Sequence, residues 1–233
     1  GTICDNDAAP TVVSVGNAAA NEGDPLVFAV TMSGVSATST HVELGLADGT
    51  ATAGADYKPS YEVSFDGGKT FTAVTGTGVD VPAGHADFQV RVASLEDKIA
   101  EGNETFTLSA AANGASATGT GTICDNDAAP TIVSVGNAAA NEGDPLVFAV
   151  ALSGVSATPT HVELGLADGT ATAGADYKPS YEVSFDGGKT FTAVTGTGVD
   201  VPAGHADFQV RVASLQDTVF EGNETFKLSA TAN

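Results

Sequence analysis

The chain has 233 residues, with 8 Lys and Arg against 29 Asp and Glu and a formal net charge of −21. That balance excludes nucleic acid as a partner, because binders of a phosphate backbone present basic patches. At 42% hydrophobic residues the chain is too apolar for a solvated acidic tail, and no apolar run is long enough to insert directly in a membrane.

The hydrophobic pattern has period two throughout, with no helical stripe. Val12, Val13 and Val15 predict a first strand closed by Gly16-Asn17, and Asn21-Glu-Gly-Asp-Pro25 is a turn. Leu26, Phe28, Val30 and Met32 alternate inward to Ser33-Gly34, and Val42, Leu44 and Leu46 form the next strand, ending at Asp48-Gly49. The segment Thr50–Tyr57 reads as a loop that delivers Asp56. Tyr61, Val63 and Phe65 lead through Asp66-Gly67-Gly68-Lys69 and out by Phe71, a hairpin signal. Val79 and Val81, then Phe88, Val90 and Val92, then Phe106, Leu108 and Ala110 give three more strands, with an acidic loop over Leu95–Asn103. The last strand is Ala115–Cys124. About seven to nine short strands with frequent turns indicate a β-sandwich.

This unit occurs twice. Gly1 recurs as Gly121, Glu22 as Glu142, Tyr57 as Tyr177 and Glu104 as Glu224, at a constant offset of about 120 residues. The copies differ at few places, among them Glu96/Gln216, Lys98/Thr218 and Ala100/Phe220, so both are expected to do one job. The expected division is residues 1–7 as the C-terminal remnant of a preceding repeat, 8–127 as a complete repeat, and 128–233 as a second repeat lacking its final strand. The chain then reads as an excerpt from a longer array.

The acids concentrate at turns: Glu22 and Asp24, Asp48 and Asp56, Glu96, Asp97, Glu101 and Glu104, then Asp125 and Asp127. Turns of a sandwich cluster at its two ends, so carboxylates from several loops meet and repel unless a hard cation bridges them. Ca2+ accepts six to eight oxygens in flexible geometry and suits such a set, whereas Mg2+ demands a stricter octahedron. No EF-hand spacing is present. His41, His85, His161 and His205 have no His or Cys neighbour at metal-ligand spacing, and Cys4 and Cys124 occupy equivalent positions and are expected to remain thiols. No nucleophile constellation or phosphate loop appears, so no enzymatic activity is expected.

Five stretches together resemble the Calx-β module: Asn21-Glu-Gly-Asp24, Asp48-Gly-Thr-Ala-Thr-Ala-Gly-Ala-Asp-Tyr57, Phe88-Gln-Val-Arg-Val92, Glu101-Gly-Asn-Glu-Thr-Phe106 and Gly121-Thr-Ile-Cys-Asp-Asn-Asp127. The resemblance implies an all-β fold of two tandem antiparallel, immunoglobulin-like sandwiches, end to end, with calcium at one end of each. It places calcium ligands on Glu22, Asp56, Glu96, Asp97, Glu101, Asp125 and Asp127, with Glu104 a further candidate, and in the second copy on Glu142, Asp176, Asp217 and Glu221. There Gln216 replaces one acid and the terminal Asp pair has no counterpart.

The hairpin Tyr61–Val74 is similar to repeats of large bacterial adhesins of the RTX type. The expected function is therefore that of calcium-stabilised extender repeats of a secreted, cell-surface adhesin, rigidified by Ca2+ at the junction between domains. The alternative is an adhesive module that itself binds a glycan, protein or ice surface. The expected partners are neighbouring repeats of the same chain, and residues 1–7 offer a head-to-tail contact with another molecule.

Overall fold

The computed structural model describes residues 1–232. Among the described residues every regular element is a β-strand. In chain order these are β1 (Val12–Val15), β2 (Ala18–Asn21), β3 (Pro25–Met32), β4 (Thr40–Asp48), β5 (Tyr57–Ser64), β6 (Thr72–Ala73), β7 (Gly78–Val81), β8 (Asp87–Ser94), β9 (Ile99–Ala100), β10 (Glu104–Ala112) and β11 (Ala115–Cys124). They continue with β12 (Ile132–Val135), β13 (Pro145–Leu152), β14 (Val155–Ser156), β15 (Thr160–Asp168), β16 (Tyr177–Ser184), β17 (Thr192–Ala193), β18 (Gly198–Val201), β19 (Asp207–Ser214) and β20 (Phe226–Ala232). The chain forms two compact units: Gly1–Asp97 with Gly102–Asn126, and Lys98–Glu101 with Asp127–Asn233.

The first unit is a sandwich of two five-stranded sheets, in the orders β1-β3-β8-β5-β6 and β2-β11-β10-β4-β7. Alternation dictates its core. Leu26, Phe28 and Val30 of β3 and Val90 and Val92 of β8 face inward from one sheet, and Val42 of β4 with Phe106, Leu108 and Ala110 of β10 face them, all 0% exposed. Burying each large side chain contributes about 1.5–3 kcal/mol, which fixes register, because a one-residue slip would turn this whole set to solvent.

Two features depart from the sequence reading. Ala18–Asn21 forms β2, a strand its alanines do not announce, by pairing in parallel with Gly121–Cys124 of β11. The return leg of the hairpin is Thr72–Ala73, paired with Val63 and Glu62. Phe71 precedes that leg and lies under the Arg91 guanidinium, 4.1 Å from its ring centroid.

The second unit repeats the first sheet as β12-β13-β19-β16-β17, but its other sheet has three strands, β18-β15-β20. The short pair β9 and β14 belongs to this unit as well, in parallel register. Its core is more open: Leu146, Phe226 and Leu228 are partly buried, whereas their counterparts Leu26, Phe106 and Leu108 are fully enclosed. Ala138–Asn141, identical in sequence to β2, forms no strand.

Candidate metal centre

The loop after β4 is held by its own ends. Asp48 Oδ1 accepts the Tyr57 hydroxyl at 2.5 Å and the Ala53 amide at 2.9 Å. Asp56 Oδ2 accepts the Thr52 amide at 2.6 Å, while its backbone carbonyl accepts the Leu95 amide at 2.8 Å. The second contact ties this loop to the acidic segment after β8. Tyr57 is buried against Phe106, with ring centroids 4.3 Å apart, so a core side chain fixes the loop that presents an acid. The second unit repeats the device with Tyr177, Asp168 and Asp176.

In the second unit the loops converge on two carboxylate groups. Glu142, Asp217 and Glu221 form one, and Asp176, Glu221 and Glu224 the other, each with oxygens within 4.8 Å of one another. Glu221 belongs to both. Desolvation, followed by the charges of Asp217, Asp176 and Glu142, raises the pKa of Glu221. Desolvation and then Asp176 and Glu221 likewise raise that of Glu224. These shifts mark accumulated negative charge that no Lys or Arg offsets among the ion pairs of the described residues.

The first unit holds the corresponding acids. Glu22 lies with Asp97, and Asp56 with Glu104, again with oxygens within 4.8 Å. Glu101 is the sequence counterpart of Glu221; it and Asp127 fall in segments that group with the second unit. Asp125 directly follows β11, and its amide donates to Asn103 Oδ1 at 3.3 Å. Glu96 accepts from Asn126 Nδ2 at 3.4 Å. Neither Asp125 nor Glu96 joins a three-acid group. At the place of Glu96, Gln216 donates to Glu142 Oε2 at 3.1 Å.

Glu224 is the acid the sequence reading did not assign, and Glu104 the one it held as a further candidate. The signal lies in the spacing Glu-Gly-Asn-Glu, present in both copies, which puts two carboxylates at the mouth of the strand that follows.

The donor set fits a hard divalent cation. Among the described residues every member of these groups is a carboxylate, and no His or Cys enters one. The acids come from three loops and a strand end, which gives the adaptable geometry Ca2+ accepts. The histidines do other work: His41 contacts Asp80 at 2.7 Å and Glu43 at 3.2 Å, and His161 repeats the arrangement with Asp200 and Glu163. Both cysteines are free thiols, Cys4 exposed and Cys124 half-buried.

Comparison with known proteins agrees with this chemistry. The Calx-beta domain matches residues 5–80, 67–133 and 125–232. No curated protein matches the chain. Among solved structures, CBD12 from CALX1.2 is 16% identical over 94% of this chain and 79% of its own, with a TM-score of 0.38. The calcium binding domain CBD12 of CALX1.1 is 17% identical over 93% of this chain and 78% of its own, also at 0.38. The apo-form Calx CBD1 domain is 21% identical over 49% of this chain and 97% of its own, at 0.37. The assignment rests on the family match, which spans nearly the whole chain: the chain belongs to the Calx-beta domain family of calcium-binding, non-enzymatic modules, carried here in tandem.

Proposed function

We propose that the two units are calcium-stabilised extender repeats of a secreted adhesin at a bacterial cell surface, serving to hold a distal binding region away from the cell. The observation that carries this reading is the repeated convergence of loop carboxylates in two units of nearly identical sequence. Duplicated spacers need only length and stiffness.

In this reading Ca2+ is held in the first repeat by Glu22, Asp56, Glu96, Asp97, Glu101, Asp125 and Asp127, with Glu104 added. In the second it is held by Glu142, Asp176, Asp217 and Glu221, with Glu224 added. Asp125 and Asp127 follow directly on β11 and open the segment into the next repeat, so calcium there would stiffen the tandem.

Small-angle scattering of the whole chain with calcium and with chelator tests the reading. A rod in calcium that becomes flexible in chelator is the expected result; identical profiles would refute calcium stiffening. Saturable binding of the chain to a glycan array or to ice would instead favour an adhesive module.

A further inference from the structure

His41 and Glu43 lie two residues apart on β4, so the alternation of a strand sets them on one face of the sheet. Register places Asp80 of β7 directly opposite His41, and Gly78 opposite Glu43. The bare backbone of Gly78 lets the imidazole lie across the strand pair: a Cβ there would stand 2.7 Å from His41 Nε2. Both ring nitrogens therefore face carboxylates. His41 Nδ1 is 2.7 Å from Asp80 Oδ1, and Nε2 is 3.2 Å from Glu43 Oε1. His161, Glu163, Asp200 and Gly198 repeat the arrangement in the second unit, at 2.6 and 3.3 Å.

An ionised carboxylate only accepts hydrogen bonds, so Nδ1 carries the proton that it donates to Asp80. A neutral imidazole then turns the lone pair of Nε2 toward the Glu43 carboxylate. Two electron-pair donors so close call for a positive charge beside them, which is either a second proton or a metal ion. Ligands on a tetrahedral zinc ion, at bond lengths of about 2.0–2.2 Å, stand roughly 3.3–3.5 Å apart, close to the gap in both units. The surroundings are those of a metal-bound histidine. A carboxylate takes the other ring N–H and so fixes tautomer and orientation. The ligating carboxylate is hydrogen-bonded in its turn, in the second unit by the Thr197 hydroxyl.

We propose that each unit binds a divalent transition-metal ion of the Zn2+ kind through one imidazole nitrogen and one carboxylate, His41 Nε2 with Glu43 and His161 Nε2 with Glu163. Asp80 and Asp200 are positioning residues, and water completes the coordination on the exposed side. These sites are distinct from the all-carboxylate groups, because imidazole suits Zn2+ whereas Ca2+ takes oxygen. They stand on register and donor geometry, independently of the calcium reading.

Titration calorimetry of the whole chain with Zn2+ tests the proposal. Saturating Ca2+ fills the carboxylate groups, and a Cys4→Ser, Cys124→Ser background removes the thiols. One ion per unit should bind at about pH 7.5 and none at about pH 5, where a proton holds Nε2. His41→Ala should abolish the first site alone, and His41→Ala with His161→Ala both. Glu43→Gln, which keeps the imidazole, should weaken the first site at least about tenfold, and so should Asp80→Asn. In proton NMR, Zn2+ should move the resonances of His41 and His161 and leave those of His85 and His205 in place. No binding at about 1 mM Zn2+ overturns the proposal. So does binding that survives the double histidine substitution, or that Glu43→Gln leaves unchanged.

Discussion

The Tyr57 hydroxyl and Asp48 Oδ1 are 2.5 Å apart, and this bond joins the sandwich core to the acid loop. Burial, and then the hydrogen bond to Asp48, raises the phenol's pKa; in the second unit the bond to Asp168, and then burial, push Tyr177 up to about 12. Both phenols therefore keep their protons, and the bonds their donors, across the physiological range. Tyr57→Phe should cost about 2 kcal/mol, the range for a bond to a charged group, and should lower calcium affinity by loosening the segment that ends in Asp56. Chemical denaturation in chelator isolates the first effect and calcium titration calorimetry the second.

Glu221 is shared by both acid groups of the second unit, whereas Asp217 serves one. Calcium affinity follows ligand charge and number, so Glu221→Gln should weaken binding by about tenfold or more, and Asp217→Asn by less. A ligand that binds only the folded state stabilises it according to its occupancy. The calcium-induced rise in melting temperature should thus shrink most in Glu221→Gln. Equal losses in the two variants would contradict the shared position.

Without calcium, the raised pKa values of Glu221 and Glu224 make a prediction of definite sign. The folded state holds their protons more tightly than the unfolded state does, so stability falls as pH rises through the folded pKa values. Lowering pH from neutrality toward 5, still above the ordinary carboxylate range, should therefore stabilise the chelated second unit, and saturating calcium should abolish the gain. Asp66 and Asp186 act in the opposite sense. The Thr70 hydroxyl, and its counterpart at Thr190, lead the hydrogen bonds that hold them well below the usual range. Their contribution is intact above the ordinary aspartate pKa and is lost only in stronger acid. Calorimetry across pH, with and without chelator, separates the two windows.

His41 lies between Asp80 on β7 and Glu43 on β4, and the hydrogen bond to Asp80, then that to Glu43, raises its pKa. His161 is raised in the same way by Asp200 and Glu163. Their contribution to the edge-strand pairing is fully present below the ordinary histidine pKa of about 6.5 and is lost as pH rises through the folded value. Proton NMR should show these two imidazoles titrating above that reference. Ordinary values for both would remove this contribution.

Much of the sandwich was legible because its strands obey period two without interruption: Leu26 to Met32 and Phe88 to Val92 can bury only one face. β2 was hidden because Ala18, Ala19 and Ala20 carry no strand preference, and their order comes from β11, about a hundred residues away. The acids were legible as a set, because turns gather carboxylates at the ends of a sandwich. Their grouping was not. Spacing along the chain does not reveal that Glu221 reaches two groups, or that Asp48 accepts from a buried tyrosine instead of joining the acids it sits among.

The verbatim Ala-Ala-Ala-Asn, extended beside β11 in the first unit and irregular in the second, has a consequence for how the first sandwich opens. The order of β2 is borrowed from β11, with which it pairs in parallel. Local opening follows such cooperative units, so a substitution that loosens β11, such as Ile123→Ala, should speed amide exchange at Ala18–Asn21 as well, although about a hundred residues separate the two strands.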